Sequence, residues 1–246
     1  MTRFRLLQAR VAGDPVRTEE QHAFAARLEV PPTAIDPFDL LEEEITLERV
    51  TEDVDAVLVG GSGAYSVRQD EVWLHRFIEL MGAIAEAGFP TFASCFGFQA
   101  LVLALGGEIS SDEDGTEVGS FDVFLAEAAR EDPLFRDLPE RFVAQQGHKD
   151  HAPRIPTQAV NLATSERCPY QAIRVVGTPV YATQFHAELT LEDNLTRFRR
   201  YFEMYSNAYG ISQARRMLDG FRPSPEANAL LRRFRELLER GLLNSA

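Results

Sequence analysis

Two short apolar runs, each followed by a stretch with helical periodicity, constrain the fold of this chain more than any other feature. "DAVLVGG" (55–61) is rich in valine and ends in two glycines, and "FPTFASC" (89–95) is a second such run. Between them, residues 70–88 carry apolar side chains at helical spacing and end at a glycine, and "FGFQALVLALGG" (96–107) continues as another helix. This order of strands and helices predicts an α/β fold, an open, mostly parallel twisted sheet flanked by helices.

The flanking segments extend this pattern. "RFRLLQA" (3–9) predicts an opening strand, and residues 14–30 predict a helix. The middle of the chain, at about 116–185, contains several further strand candidates. We therefore expect one sheet to gather strands from most of the chain.

The C-terminal part predicts two closing helices. One starts near Thr190, where Thr190 and Asp193 form a capping pattern, and the other starts after Ser224. The apolar stripe of the last helix predicts packing against the rest of the chain, with a homodimer or partner surface as the alternative. We therefore expect one α/β domain over residues 1–206 and a helical extension over residues 207–246 packed on it.

Composition and charge exclude several classes of function. The net charge is -13, which opposes nucleic-acid binding. The two cysteines cannot build a disulfide framework, so a reducing cytoplasm is expected. No apolar run approaches the length of about 18 residues that indicates a membrane helix. We therefore expect a cytoplasmic protein that binds neither nucleic acid nor membrane.

Cys95 stands where the second apolar run passes directly into a helix. Such a junction forces a sharp turn and exposes its residue at the carboxyl edge of the sheet. The positive end of the following helix stabilises a thiolate. Cys95 is therefore a candidate nucleophile, the alternative being a small buried apolar thiol.

His186 and Glu188 provide a candidate base and its orienting group. The two residues are two positions apart at the end of a strand-like segment, so their side chains project to the same side. Glu188 is then placed to bond the far ring nitrogen of His186 and to stabilise the imidazolium. The alternative is a histidine with a purely structural role.

The glycine-rich stretch "LVGGSGAYS" (58–66) is a candidate oxyanion loop. It exposes backbone N–H groups without side chains in the way, and the N–H groups of Gly61 and Phe96 are the candidate donors. A phosphate cradle is the rival interpretation, but the stretch has neither the lysine nor the spacing of nucleotide-binding loops.

Together, these three segments resemble the class I, or triad-type, glutamine amidotransferase family. The resemblance covers roughly residues 55–190, and the motifs occur in the family's order. The elbow "ASCFGFQ", the segment "QFHAE" and the loop "GGS" keep Cys95, Gly97, Gln99, Gln184, Phe185, His186, Glu188, Gly60, Gly61 and Ser62. The departures are Ala93, Phe98 and Ala187, and none of them removes a reacting group.

The resemblance implies the chemistry of the site. Cys95 attacks the side-chain amide of glutamine, His186 moves the protons, Glu188 orients His186, and a γ-glutamyl thioester forms. It also implies that the substrate is held by Gly60, Ser62, Gln99, Gly147, His148 and Lys149. Lys149, the only lysine, is a candidate partner for a substrate carboxylate, the alternative being a solvated lysine in a loop. We expect no cofactor and no metal.

Three hypotheses about function follow. In the first, the protein is a stand-alone amidotransferase without a fused synthetase domain, delivering ammonia from glutamine to a separate synthetase partner. In the second, it hydrolyses γ-glutamyl amines or peptides. In the third, the same scaffold is non-catalytic or senses redox state, although the intact His186–Glu188 pair speaks against that.

Overall fold

A nine-stranded sheet lies at the centre of the computed structural model, which describes residues 1–243, and its strand order is β2-β1-β3-β4-β11-β10-β9-β6-β7. The strands are β1 (Phe4–Gln8), β2 (Ile35–Asp39), β3 (Ala56–Val59), β4 (Thr91–Ser94), β5 (Glu108–Ser111), β6 (Glu117–Leu125), β7 (Arg141–His148), β8 (Asp150–Arg154), β9 (Ala159–Ser165), β10 (Ala172–Val175) and β11 (Val180–Thr183). The helices are α1 (Val16–Leu28), α2 (Leu47–Thr51), α3 (Val72–Ala87), α4 (Phe96–Ala104), α5 (Leu191–Arg200), α6 (Phe202–Tyr209), α7 (Ile211–Asp219) and α8 (Pro225–Glu239).

The five strands β2, β1, β3, β4 and β11 are parallel neighbours, which confirms the predicted sheet flanked by helices. The remaining four strands continue the sheet in antiparallel pairs from β11 through β10, β9 and β6 to β7. A separate two-stranded sheet joins β5 to β8. The β-rich middle of the sequence therefore forms the antiparallel end of the sheet.

The two faces of the sheet are covered by different helices. Phe24 of α1 and Phe234 of α8 pack on one face, and Phe77 of α3 and Leu101 of α4 pack on the other. The parallel strands β3 and β4 are buried along their whole length. Burial on both faces explains why these strands appear in the sequence as continuous apolar runs.

The C-terminal part contains four helices, α5 to α8, where the sequence pattern predicts two. The predicted capping box of α5 is present, since Thr190 Oγ1 accepts from the Asp193 N–H at 3.2 Å and Asp193 accepts from the Thr190 N–H at 2.9 Å. Ser224 precedes α8, but its hydroxyl accepts from Gln145 Nε2 at 3.0 Å and caps no helical N–H. The additional helices α6 and α7 have few buried side chains: none in α6 and only Ala214 in α7.

The apolar stripe of α8 packs inside the chain. Leu230, Leu231 and Phe234 are fully buried, and the Phe234 ring meets the rings of Phe92 and Tyr181 at centroid distances of 5.7 and 6.4 Å. This stripe is therefore part of the main core. The division of the chain at residue 206 stays a prediction.

Within residues 1–243, no helix is long and apolar enough to cross a membrane.

Candidate active site

Three segments that carry the predicted site residues meet at one edge of the sheet. The strands β3, β4 and β11 are parallel, and β4 lies between the other two. The Gly60–Gly61 loop follows β3, Cys95 follows β4, and the segment from Gln184 to Glu188 follows β11. The carboxyl ends of parallel strands share an edge, so the fold brings residues that are distant in sequence into one place.

Cys95 occupies the sharp turn between β4 and α4. Its φ is 49° and its ψ is -94°, a conformation that residues with a Cβ rarely adopt. Its N–H donates to the Thr183 carbonyl at 2.7 Å, which ties the turn to the neighbouring strand. Strain of this kind persists only where the surroundings enforce it, and it is concentrated at functional sites.

His186 links the thiol to a carboxylate. Its Nδ1 lies 2.5 Å from Glu188 Oε1, and its ring lines the same cavity as the Cys95 thiol. The His186 N–H donates to the Gln145 carbonyl at 2.9 Å, which fixes the backbone beside β7. Cys95, His186 and Glu188 therefore lie together as one candidate relay, in which the histidine is hydrogen-bonded to the carboxylate.

The charges in this relay favour an imidazolium. Burial lowers the pKa of His186, but the negative charges of Glu188 and of the Cys95 sulfur outweigh burial and raise the pKa to about 10. Burial raises the pKa of Glu188, but His186 and Arg197 reverse this effect and lower it overall. The arrangement thus stabilises a protonated His186 against an ionised Glu188.

The glycine loop lies against the histidine ring. A Cβ on Gly61 would stand 2.7 Å from His186 Cε1, so only glycine fits at this position without movement of the ring. Gly61 and Phe96 both line the cavity that contains the Cys95 thiol. Their roles as oxyanion donors stay a prediction.

A cavity of about 380 Å³ opens beside Cys95. Its lining includes the predicted residues Gly61, Ser62, Phe96, Gln99, Gly147, His148, Lys149 and His186. Gly60 lies against Glu20, whose carboxylate carbon is 2.5 Å from the position that a Cβ on Gly60 would take. Gly60 is therefore better placed to shape the loop than to touch a substrate.

Gln99 is held by protein groups. Its Nε2 donates to the Asp150 carbonyl at 2.8 Å and to Gln184 Oε1 at 3.3 Å. Gln184 Nε2 in turn donates to Cys95 Sγ at 3.7 Å. Gln99 thus orients Gln184 toward the thiol, a role that the sequence analysis assigns to neither residue, although both lie in the matched motifs.

His148 is engaged at both ring nitrogens. Its Nδ1 lies 3.0 Å from the Asp150 carbonyl oxygen, and its Nε2 lies 3.2 Å from Glu117 Oε2. His148 is 3% exposed, so it stiffens the wall of the cavity from behind.

Among residues 1–243, Glu117, His148 and Cys168 form the one group whose ligand atoms are close enough to hold a metal ion, within 4.8 Å of one another. Their polar atoms already have protein partners. Glu117 accepts from Ser165 and Gln171, and the Cys168 thiol donates to the Gly115 carbonyl. Burial and the nearby Glu117 raise the pKa of Cys168, which keeps the thiol protonated. This group is thus better suited to supporting His148 than to binding a metal.

The C-terminal helices contribute a wall that sequence reasoning missed. The cavity is also lined by Arg197, Phe198, Tyr201, Met204 and Tyr205, which lie on α5, on α6 and at their junction. The run "TRFRRYFEMY" (196–205) offers a signal, since its aromatic residues recur at helical spacing. Arg10, which follows β1, also lines the cavity, and both Arg10 and Tyr201 of the C-terminal wall lie close to Gly63; no sequence motif marks Arg10.

The elbow cysteine and the parallel sheet beneath it define an α/β protein whose candidate site lies at the carboxyl edge of its strands. Residues 23–203 match the family model "Glutamine amidotransferase class-I". The chain belongs to the class-I glutamine amidotransferase family.

Two relatives align in sequence with about three fifths of this chain. GMP synthase [glutamine-hydrolyzing] of Lactobacillus delbrueckii subsp. bulgaricus is 30% identical over 151 residues, which cover 61% of this chain and 28% of that protein. A GMP synthase [glutamine-hydrolyzing] subunit of Methanothermobacter thermautotrophicus is 28% identical over 154 residues, which cover 62% of this chain and 76% of that one. The match thus spans little more than a quarter of the Lactobacillus enzyme and most of the Methanothermobacter chain.

Solved structures share the fold along nearly all of the chain. A glutamine amidotransferase of Thermotoga maritima superposes with a TM-score of 0.71 at 23% identity, covering 98% of both chains. A glutamine amidotransferase of Methylobacillus flagellatus superposes with a TM-score of 0.68 at 16% identity, covering 98% of this chain and 96% of that one. At these identities, the likeness concerns the fold.

Proposed function

We propose that this protein hydrolyses the side-chain amide of glutamine through a γ-glutamyl thioester on Cys95, releasing glutamate and ammonia. The observation that carries the proposal is that His186, whose Nδ1 lies 2.5 Å from Glu188 Oε1, shares one cavity with the Cys95 thiol. A thiolate with an imidazolium beside it is the state that a cysteine nucleophile needs for attack. Membership of the class-I family supports glutamine as the amide.

The first half of the reaction forms the thioester. The Cys95 thiolate attacks the γ-carbonyl carbon, and the N–H groups of Gly61 and Phe96 stabilise the oxyanion that develops. His186, which holds the thiol proton, gives it to the leaving nitrogen, and ammonia departs as the carbonyl re-forms. Glu188 holds the imidazolium in the orientation for this transfer.

The second half releases glutamate. Water attacks the thioester carbonyl while His186 takes one of its protons. The second tetrahedral intermediate then collapses, the C–S bond breaks, and the proton returns from His186 to the Cys95 sulfur. Gln184 Nε2, which donates to Sγ at 3.7 Å, is placed to stabilise the sulfur as it leaves.

The GMP synthase relatives support a use for the ammonia. The Methanothermobacter relative is named as one chain of a glutamine-hydrolysing synthase, and the match covers 76% of that chain. We therefore propose that ammonia passes to a separate synthetase partner.

A second candidate is the hydrolysis of γ-glutamyl amines or peptides. The aromatic wall formed by Phe198, Tyr201 and Tyr205 gives the cavity an apolar side that ammonia does not need. A larger leaving amine would use this wall, while the chemistry at Cys95 would be unchanged.

The two candidates are separated by supplying the purified protein with glutamine and with a series of γ-glutamyl amines and following ammonia, amine and glutamate. Turnover of glutamine supports the first candidate, and turnover of γ-glutamyl amines alone supports the second. Cys95→Ala is expected to abolish either activity, while Cys168→Ala, which removes the other cysteine, is the matched control. Absence of turnover with both substrate classes, with and without candidate synthetases, would contradict both candidates.

A further inference from the structure

A buried ion pair lies next to the Gly60–Gly61 loop, and the reaction steps above do not use it. Arg10 follows β1 and is 6% exposed, and Glu20 lies on α1 and is fully buried. Removing two charges from water costs several kcal/mol for each ion unless hydrogen bonds satisfy both groups. The pair lies directly beside the candidate oxyanion loop, so the groups of the loop that it contacts indicate its role.

The pair is bonded to the loop. Arg10 Nη2 donates to Glu20 Oε1 at 3.2 Å and to the Gly61 carbonyl oxygen at 3.0 Å. Gln8 Nε2 donates to the other Glu20 oxygen at 2.9 Å and to the Arg17 carbonyl at 3.0 Å. The network therefore connects β1 and α1 to the backbone of the candidate oxyanion loop.

The loop is confined from two sides. A Cβ on Gly60 would lie 2.5 Å from the Glu20 carboxylate, and a Cβ on Gly61 would lie 2.7 Å from the His186 ring. Adjacent glycines have wide backbone freedom, so their peptide groups rotate unless outside contacts hold them. The Arg10 bond to the Gly61 carbonyl and the Glu20 contact with Gly60 supply that restraint.

We propose that the Arg10–Glu20 pair is a clamp that keeps the Gly60–Gly61 backbone in one orientation. In this orientation, the Gly61 N–H faces the oxyanion that forms at Cys95. Although Arg10 also lines the cavity, its role in this proposal is that of a positioning residue that acts through the Gly61 carbonyl. The donors of an oxyanion hole are effective because they are oriented before reaction, so loss of the clamp costs transition-state stabilisation. This inference rests on the proposed hydrolysis for its kinetic consequence, but the restraint on the loop is independent of it.

The first test measures the loop itself. Hydrogen exchange of the amides in residues 60–64 is compared in the wild type, Arg10→Ala, Glu20→Gln and Arg200→Ala. Arg200 pairs with Glu19 on the surface, so Arg200→Ala removes an arginine beside the same helix without touching the loop. We expect exchange to become at least about fivefold faster in Arg10→Ala and Glu20→Gln and to stay unchanged in Arg200→Ala. Unchanged exchange in both clamp variants would overturn the proposal whatever the protein hydrolyses.

The second test separates the oxyanion from the thiolate. With the substrate that the wild type turns over, Arg10→Ala is expected to lower kcat by about tenfold or more and to leave KM within about twofold. Alkylation of Cys95 by iodoacetamide is expected to keep its rate within about twofold, because displacement of iodide develops no oxyanion. Arg10→Lys, which keeps a donor for the Gly61 carbonyl, is expected to recover part of kcat.

The kinetic outcomes distinguish the clamp from its rivals. A raised KM with unchanged kcat would show that Arg10 binds substrate, and equal losses of kcat and alkylation rate would show a general disturbance of the site. Either result would overturn the proposal. Thermal unfolding of each variant checks that it is folded. If Arg10→Ala does not fold, Glu20→Gln, which keeps the shape of the buried side chain, provides the same test. If the wild type shows no turnover, the proposed hydrolysis is contradicted. The hydrogen-exchange measurement then tests by itself whether the clamp restrains the loop.

Discussion

At the scale of single residues, the conformation of Cys95 shows how the fold prepares the site. A φ of 49° in a residue with a Cβ costs on the order of 1–3 kcal/mol, and the turn persists because β4, α4 and β11 fix both of its ends. The same turn places the thiol in the cavity that His186 lines and within reach of Gln184 Nε2. Stability is thus given up locally to place one reactive atom.

The free energy of unfolding of Cys95→Gly is expected to exceed that of Cys95→Ala by about 1 kcal/mol, because glycine adopts a positive φ without a Cβ penalty. Both variants lack the thiol, so the comparison isolates the backbone term. Chemical denaturation of the two inactive variants measures it. Equal stability would show that the turn is not strained.

The charge of Glu188 sets the protonation of His186. In the folded wild type, the pKa of His186 is raised to about 10, so the imidazolium persists above its ordinary range and is lost only as the pH rises through that value. Glu188→Gln removes the main cause of the increase and leaves burial, which lowers the pKa. We therefore expect a large fall in this pKa, measured by NMR titration of the ring.

The matched control for Glu188→Gln is Glu192→Gln, which removes an exposed carboxylate from α5. Turnover is expected to fall strongly in Glu188→Gln while Cys95 still undergoes alkylation, since the thiol is still present. An unchanged pKa of His186, or turnover at the wild-type rate, would contradict the assigned role of Glu188.

The candidate reacting residues could be predicted from the sequence, while the residues that hold them in place could not. Cys95, His186 and Glu188 stand in short motifs whose residue types and spacing are required by the chemistry itself. Arg10 acts through a backbone carbonyl that is 51 positions away, and no local pattern marks such a contact. Gln184 was visible in a motif, but its bond to the thiol depends on a side-chain orientation set by Gln99.

At the scale of elements, the close packing of α4 on the sheet fixes the elbow. Gly97 lies so near to β3 and β4 that a Cβ there would stand 2.7 Å from the Val59 side chain and 2.9 Å from Ala93 Cβ. The helix can therefore start directly after the strand, as the sequence predicted. The helices α6 and α7 were not predicted, and almost none of their side chains is buried in the core.

Gly97→Ala is expected to lower the free energy of unfolding by about 1–3 kcal/mol, because α4 must move away from the sheet to admit the methyl group. The movement also displaces Cys95, so turnover should fall. Gly82→Ala is the control, because the nearest neighbouring atom to the added Cβ is 3.8 Å away. Alanine in the middle of α3 is expected to raise the free energy of unfolding by about 0.5–1 kcal/mol. Denaturation curves in which Gly97→Ala is no less stable than the wild type would contradict this packing account.

At the scale of the whole molecule, one continuous sheet carries both the site and the C-terminal helix. The parallel half of the sheet could be predicted, since strands buried on both faces leave uninterrupted apolar runs. The order of the antiparallel strands could not, because short alternating strands do not specify their partners. The helix α8 returns to the N-terminal half and packs against α1.

Phe234→Ala is expected to destabilise the whole fold by about 3–5 kcal/mol, because its ring is fully buried between Phe92 and Tyr181. Ile211→Ala, which shortens a side chain that is 54% exposed, should change stability by no more than about 0.5 kcal/mol. Denaturation of both variants checks the prediction. Similar values would show that α8 is not part of the core.

The central claim is that Cys95 forms a γ-glutamyl thioester, and trapping that intermediate tests it most directly. The protein is mixed with the amide substrate that it turns over, quenched in acid during steady-state turnover, and digested for mass spectrometry. One γ-glutamyl group is expected on the peptide that contains Cys95, absent in Cys95→Ala and unaffected by Cys168→Ala. Continued turnover in Cys95→Ala, or a γ-glutamyl group on any other residue, would contradict the claim.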